Sequence, residues 1–361
     1  MSPDHQGGLL LIPDISGFTQ FVSEVEISHS EHVIAELLEL LINGNRLGLE
    51  LCEIEGDALF FYKQGALPDF EAMLEQVNHW TRSFHGHLKL LERDNYCQCG
   101  ACQNIGNLGL KVVGHIGEFS IYAVKKKIKI IGKDVILVHR LLKNHVEGQN
   151  YVLYSRALSE RLGSGRVRAA GFQERQENYE TFGDVPVDVL DLTQLVAEVP
   201  APPPREIEQL PRKFSMEIEI DGTLEDAAKL ILNHAGWPGW VAGLEQMVVD
   251  QSAPIRVGHH HVCVFPGNPL SITLEHLIRD KDEFTFVNNI VPPPLLHELK
   301  SIFEVRTVGS GITVKYGYAY APKFLGRRKF EKDIVPMLTE QGQATLQNLK
   351  AKIEGTAAAA G

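Results

Sequence analysis

Residues 197–211, "AEVPAPPPREIEQLP", carry five prolines. Proline has no backbone N–H and a fixed φ, so such a run suits neither a helix interior nor a sheet ladder. Adjacent prolines keep a chain extended and semi-rigid. The stretch therefore reads as a linker. It divides 361 residues into a first domain over residues 1–196 and a second over 212–355, each of ordinary domain size. The last residues, 356–361, "TAAAAG", read as a flexible tail.

The first domain mixes both periodicities. Residues 9–15 form a short apolar strand, and residues 49–62 a strand pair broken at Gly56. Residues 31–48 and 70–91 repeat apolar side chains at helical spacing, the second through Met73, Leu74, Val77, Trp80, Phe84, Leu88 and Leu91. Strands follow over 108–115 and 119–124, then a helix over 134–145 and strands at 151–154 and 187–190. The second domain opens on an alternating strand, 214–220, and a helix, 224–233. Strands over 256–265, 270–279, 283–291, 299–307 and 311–321 precede a long helix over 329–353. The fold class is α+β.

Composition narrows the function. With 44% hydrophobic and 22% charged residues the chain is globular. A net charge of −11 argues against nucleic acid as a partner, since phosphate binding needs concentrated Lys and Arg. It leaves a local nucleotide site open. Residues 1–8 lack a signal-peptide pattern, and no apolar run reaches the ~18–20 residues of a membrane span. Five cysteines, three of them clustered, do not form a secreted disulfide framework. The expected location is the cytoplasm.

In "LLLIPDISGFTQF" an apolar run ends on Asp14, and in "CEIEGDALFFY" Asp57 follows the Gly56 turn. Two carboxylates at neighbouring strand ends read either as turn residues or as ligands of Mg²⁺ or Mn²⁺ with substrate phosphates. The turn after Asp14 offers backbone N–H groups to phosphate.

The ordered set "PDISGFTQF", "EIEGDALFF", "GHIGE" and "IIGKDVILVHRLL" resembles the class III adenylyl/guanylyl cyclase domain over about residues 8–160. That resemblance implies a ferredoxin-like fold, a homodimer with its site between subunits, and metal binding by Asp14 and Asp57. It implies nucleotide contacts from Ile15, Ser16, Gly17, Phe18 and Thr19. The purine-selecting positions fall on Glu53, a guanylyl-cyclase-like residue, and on Lys129, where the family has Asp, Thr or Cys. The family's transition-state Arg matches Arg140, but its Asn partner, one helical turn earlier, is Ile136. Isoleucine donates no hydrogen bond, and losing such a donor lowers a rate by about 10²–10³. Glu53 and Lys129 are also placed to pair across the purine pocket and close it.

"NYCQCGACQNIG" groups Cys97, Cys99 and Cys102. Thiolates so spaced either hold Zn²⁺, with His85, His87, His115, Cys52 or a partner subunit as fourth ligand, or respond to oxidation.

In the second domain, "FSMEIEIDGTLEDAAKLI", "WPGW", "VGHHHVCVF" and the terminal helix resemble the START/polyketide-cyclase-like helix-grip superfamily. The resemblance implies an antiparallel sheet around a long C-terminal helix and a cavity for a small hydrophobic ligand. Alternation puts His259, His261, Cys263 and Phe265 on one face, as pocket lining or as a metal stripe. Trp237 and Trp240 either anchor helix to sheet or reach the ligand. "KFLGRRKF", residues 323–330, is a solvated helix start or a contact for an anionic membrane or nucleotide.

The expectation is a two-domain sensor. Its first domain binds a purine nucleotide with metal and cyclises weakly or not at all; its second binds the hydrophobic ligand. The alternatives are an active guanylyl or adenylyl cyclase, or a lipid or aromatic-ligand carrier or cyclase whose first domain only dimerises.

Overall fold

The computed structural model describes residues 6–18, 21, 27–95, 104–125, 127–203, 210–250, 255–279 and 281–360. Its contacts separate into two units, Met1–Arg93 with Gln98–Pro202, and Asp94–Cys97 with Pro203–Gly361.

In the first unit the apolar runs become β1 (Gln6–Ser16), α1 (Ile27–Asn43), β2 (Glu50–Glu55), β3 (Ala58–Gln64), α2 (Phe70–Asp94) and β4 (Gly109–Val124). The central strands lie in the order β2-β3-β1-β4, the arrangement of a split β-α-β, ferredoxin-like unit. β5 (Lys127–Ile131) folds back on β4, and α3 (Lys133–Leu141) follows. β6 (Tyr151–Ser155) joins β4 in parallel, and β8 (Gly183–Asp191) and β7 (Gln173–Tyr179) extend the sheet. The helical stripe of α2 is core: Met73, Val77, Trp80, Phe84, Leu88 and Leu91 are all buried. The Trp80 indole stacks on Phe61 at 5.9 Å and donates to the Leu41 carbonyl at 2.8 Å. That one side chain ties α2 to both β3 and α1. Truncating a buried aromatic of this kind costs about 3–5 kcal/mol.

The second unit is a seven-stranded antiparallel sheet. Its strands are β9 (Arg212–Ile220), β10 (Gln246–Val249), β11 (His260–Phe265), β12 (Asn268–Arg279), β13 (Glu283–Ile290), β14 (Leu296–Val308) and β15 (Gly311–Pro322). Strands β10 to β15 are sequential neighbours, and β9 completes the sheet beside β15. α4 (Leu224–Leu232) starts on a Thr223–Asp226 capping box, which satisfies N–H groups left open at a helix start. A 3₁₀ turn, His234–Gly239, follows. The last helical segments are a short α-turn (Arg327–Lys329), a π-turn (Phe330–Ile334) and the long α5 (Val335–Ala360). α5 packs on β9 and β15 and buries Leu346, Leu349 and Ile353. Gly342 permits the close approach, since a Cβ there would stand 2.0 Å from the Met216 methyl.

Several elements differ from the sequence expectation. β4 is one strand where two were expected, because "GHIGE" reads as a turn yet stays extended. A Cβ at Gly117 would meet Asp134 within 2.4 Å, so glycine there makes room for a side chain rather than for a bend. β1 runs from Gln6 to Ser16, beyond the expected 9–15 at both ends. β5, β7 and β10 were not expected. β7, "QERQENY", buries only Glu177 and Tyr179 and so lacks an apolar alternation. The helical pair Arg156–Leu162 and Ser164–Ala169 is short and interrupted by Gly163. Among the described residues no helix is long and apolar enough to cross a membrane.

Candidate functional site

The register of the first sheet assembles a charged group. Asp14 of β1 lies opposite Ala58 of β3 on one side and Lys111 of β4 on the other. Gly56, at φ +66, turns the β2–β3 hairpin and sets Asp57 just before Ala58. The Ile15 N–H donates to the Asp57 carbonyl at 3.1 Å, which holds the hairpin turn against β1. Asp14 is 6% exposed, and the Lys111 ammonium donates to its carboxylate at 2.8 Å.

The electrostatics follow from this crowding. Burial pushes the Asp14 carboxyl up, and Lys111 opposes the shift. Burial first, and the Asp14 charge second, raise Asp57 to about 6. Burial works against the Lys111 ammonium, but the charge and hydrogen bond of Asp14 more than offset it. At neutral pH two carboxylates thus share one ammonium, leaving an excess negative charge in a half-buried place. That is a favourable setting for a cation. Among the described residues no cluster of three metal-ligating His, Cys, Asp or Glu side chains occurs. A hard ion here would draw its other oxygens from phosphate and water. Mg²⁺ is ordinarily held that way, by one or two carboxylates plus substrate phosphates, so the donor set fits it. Lys111 had no place in the sequence reading. Its signal is the pairing register with Asp14, which depends on how the strands align.

The other expected nucleotide residues are arranged as follows. Ile15 is buried and its N–H is taken. Ser16, Gly17 and Phe18 are half-buried, with Gly17 at φ +86. Thr19 lies outside the described residues. Glu53 of β2 and Lys129 of β5 form an ion pair at 2.5 Å. Arg140 and Ile136 project from α3 one turn apart; both are exposed, Ile136 by 52%. Arg140 makes no ion pair among the described residues, and its neighbour His139 meets Glu55 at 3.3 Å. Exposed apolar side chains cluster in sequence around this region: Ile54 on β2, Tyr122 and Val124 on β4, Ile128 and Ile131 on β5.

Cys97, Cys99 and Cys102 lie outside the described residues. Of the fourth ligands considered, His85 bonds Asn150 at 2.7 Å, His87 bonds Glu36 at 2.9 Å, and His115 bonds Ser155 at 2.7 Å and Asp134 at 3.2 Å. Cys52 is a free, half-buried thiol.

The second unit holds a cavity of about 370 Å³ between its sheet and α5. Cys263, Phe265, Phe303 and Met337 are among its walls, together with the polar Ser301 and Gln341. Tyr316 and Tyr318, also in the wall, share a hydrogen bond at 2.7 Å. Burial pushes the Tyr318 phenol up to about 12 and the Cys263 thiol up to about 12. Both stay neutral, and a neutral thiol is a poor nucleophile. Cys263 is therefore not an activated nucleophile. Trp237 is part of the wall, but Trp240, His259 and His261 are not among its residues. Those three pack beside it. Trp240 sits 6.1 Å from Phe303, and its carbonyl accepts from Asn348 of α5 at 3.0 Å, an anchoring role. His261 lies 4.5 Å, ring to ring, from His234 and 6.4 Å from His259.

A family model described as "Protein of unknown function (DUF2652)" matches residues 34–151. The chain is 30% identical over 159 residues to "Uncharacterized protein Rv2561/Rv2562" of Mycobacterium tuberculosis, covering 44% of this chain and 73% of that protein. Among solved structures, it is similar to the adenylyl cyclase CyaB from P. aeruginosa at 14% identity, over 53% of this chain and 97% of that one, with a TM-score of 0.37. It is similar to the guanylyl cyclase domain of the RhoGC fusion protein from Blastocladiella emersonii at 13% identity, over 52% and 96%, TM-score 0.37. It is also similar to the di-domain ARO/CYC StfQ of the steffimycin biosynthetic pathway at 14% identity, over 52% and 70%, TM-score 0.33.

Proposed function

The chain belongs to the family of that Mycobacterium tuberculosis protein, and from the geometry of its own residues we propose that it is a nucleotide- and ligand-binding sensor with little or no cyclase activity. The first unit binds a purine nucleotide with Mg²⁺ or Mn²⁺ at Asp14 and Asp57. The second binds a small hydrophobic ligand. The observation that carries the reading is the meeting of Asp14, Asp57 and Lys111 at one place in the sheet: two carboxylates whose charges act on each other, and one ammonium bonded to Asp14.

Weak turnover follows from two features. Ile136 stands one turn from Arg140 and offers no donor, and preorganised donors supply much of such a rate. Glu53 and Lys129 are bound to each other, so a purine edge must separate them before it is read. A homodimer is part of this reading, and the exposed apolar residues of β2 and the β4–β5 hairpin, such as Ile54, Tyr122 and Val124, are where a second copy would gain by covering them. Ligand in the second unit biasing that dimer completes the sensor, and such coupling must act in both directions.

A second reading is favoured by the cavity itself: an apolar enclosure of this size with a few converging hydroxyls is a usual small-molecule site. On that reading function lies in the second unit alone.

One experiment addresses both. The protein, as purified, is weighed by native mass spectrometry and then incubated with Mn²⁺ and GTP or ATP. The proposal predicts a dimer mass, retained nucleotide and no cyclic product above background. Rapid cyclic product would instead make the first unit an active cyclase. A co-purified apolar ligand with no nucleotide binding would leave only the second reading.

A further inference from the structure

Between β15 and the terminal helices the chain makes a turn whose two central side chains point away from the protein. Phe324 is 97% exposed and Leu325 88%. Single exposed apolar residues are common on proteins, but two large consecutive ones at nearly full exposure are not accounted for by packing.

The turn is built rather than loose. The Lys323 N–H donates to the Leu295 carbonyl at 3.0 Å, and the Gly326 and Arg327 N–H groups return to the Lys323 carbonyl at 3.0 and 3.1 Å. Gly326 lies so close to Leu295 that a Cβ would meet its carbonyl oxygen at 2.2 Å. Behind the turn Phe330 is fully buried against Tyr320. The chain thus places one phenylalanine inside and clamps the turn so that Phe324 and Leu325 face outward. The loop that carries Leu295 also carries Val291, 63% exposed.

Charge surrounds the pair. Residues 323–333 hold five basic side chains, Lys323, Arg327, Arg328, Lys329 and Lys332, against Glu331 and Asp333. All five basic residues are exposed. Arg327 is engaged by Glu331 at 3.2 Å; the other four make no ion pair among the described residues. The whole chain carries −11, so an anionic surface repels most of it and is approached only through a local basic patch.

We propose that the Phe324–Leu325 turn docks the protein on an anionic lipid surface, the two side chains entering the acyl boundary and the basic collar meeting lipid phosphates. Apolar side chains gain by leaving water for hydrocarbon. Lys and Arg can lay their alkyl stems along that boundary while the charge stays at the headgroups. Juxtaposed basic residues are drawn to anionic lipid within a Debye length. So small an insertion yields weak, reversible binding that needs both the apolar and the electrostatic contribution. The proposal is independent of the nucleotide and cavity readings.

The test sediments the full chain with vesicles of phosphatidylcholine alone and of phosphatidylcholine mixed with phosphatidylserine. Pelleting is expected with the mixed vesicles at low salt, reduced by added salt and nearly absent with phosphatidylcholine alone. Replacing both residues, Phe324→Asp with Leu325→Asp, should lower the partition by at least about tenfold. Both are exposed, so the fold is retained, which circular dichroism checks. Phe324→Trp should show a blue-shifted emission component when mixed vesicles are added. Absence of pelleting at low salt overturns the proposal. So does unchanged pelleting of the double variant, an unshifted Phe324→Trp spectrum in the pelleted fraction, or a surface that captures only a protein partner.

Discussion

Acidification from pH 7 to about 4.5 is expected to destabilise the second unit, and His261→Leu to protect it. His234 and His261 are buried, 2% and 0% exposed, and neither nitrogen of either ring has a hydrogen-bond partner. Around them stand Trp237, Phe286 and His259. Burial first, and the neighbouring imidazoles second, lower His261 to about 3 and hold His234 well below its ordinary 6.5. Both rings are therefore neutral in the folded state. In the unfolded chain they take up protons near 6.5. Stability is fully present above that pH and is lost as pH falls below it, by about 1.4 kcal/mol per pH unit for His261. For His261 the loss continues down to about 3. For His261 two pH units amount to about 2.7 kcal/mol, and His234 adds to the loss in the same direction. Denaturant midpoints measured across pH by near-ultraviolet circular dichroism check this. His261→Leu should reduce the dependence below pH 6.5, and an undiminished dependence would assign it to other groups.

Replacing Lys111 by methionine should loosen the first unit without metal and tighten its hold on a divalent ion. Lys111→Met keeps the stem but removes the charge that faces Asp14 at 2.8 Å. A carboxylate as buried as Asp14 then stands beside Asp57 with no counter-ion. Breaking a buried ion pair on one side costs about 3–5 kcal/mol, unless the acid becomes protonated. A divalent ion would restore the missing charge. The thermal midpoint should therefore fall in chelator and recover in Mg²⁺ or Mn²⁺ more than the unaltered protein's does. A midpoint equally low with and without the ion would show that Lys111 is only a structural partner of Asp14.

Much of the first sheet was legible because its strands and helices carry strong patterns: β1 by its apolar run, α2 by the stripe through Trp80. The acidic pair was legible from the Gly56–Asp57 turn and the motif order. Lys111 was not, because a lysine inside "LGLKVVG" has no local signature and becomes part of the site only through cross-strand register. β7 was hidden for a related reason: besides Tyr179 it buries Glu177, which accepts from the His145 N–H at 3.1 Å and meets its ring at 2.9 Å, so it shows no apolar alternation. In the second unit alternation correctly put His261 and Cys263 on one inward face. It did not reveal that the cavity wall takes Cys263 and Phe265 while the histidines pack under the 3₁₀ turn beside it. That division depends on where the turn after α4 comes to rest, which is a tertiary outcome.

The central claim, that Asp14 and Asp57 hold a metal for a purine nucleotide, is tested most directly by calorimetric titration. GTP and ATP are titrated into the protein and into Asp57→Asn, each with Mg²⁺, with Mn²⁺ and with chelator alone. Binding should require the ion, and should weaken about tenfold per unit as pH falls below about 6, where Asp57 takes up its proton. It should be lost in Asp57→Asn, whose fold is checked by circular dichroism. Nucleotide binding of equal strength in chelator, or undiminished in Asp57→Asn, would contradict the account.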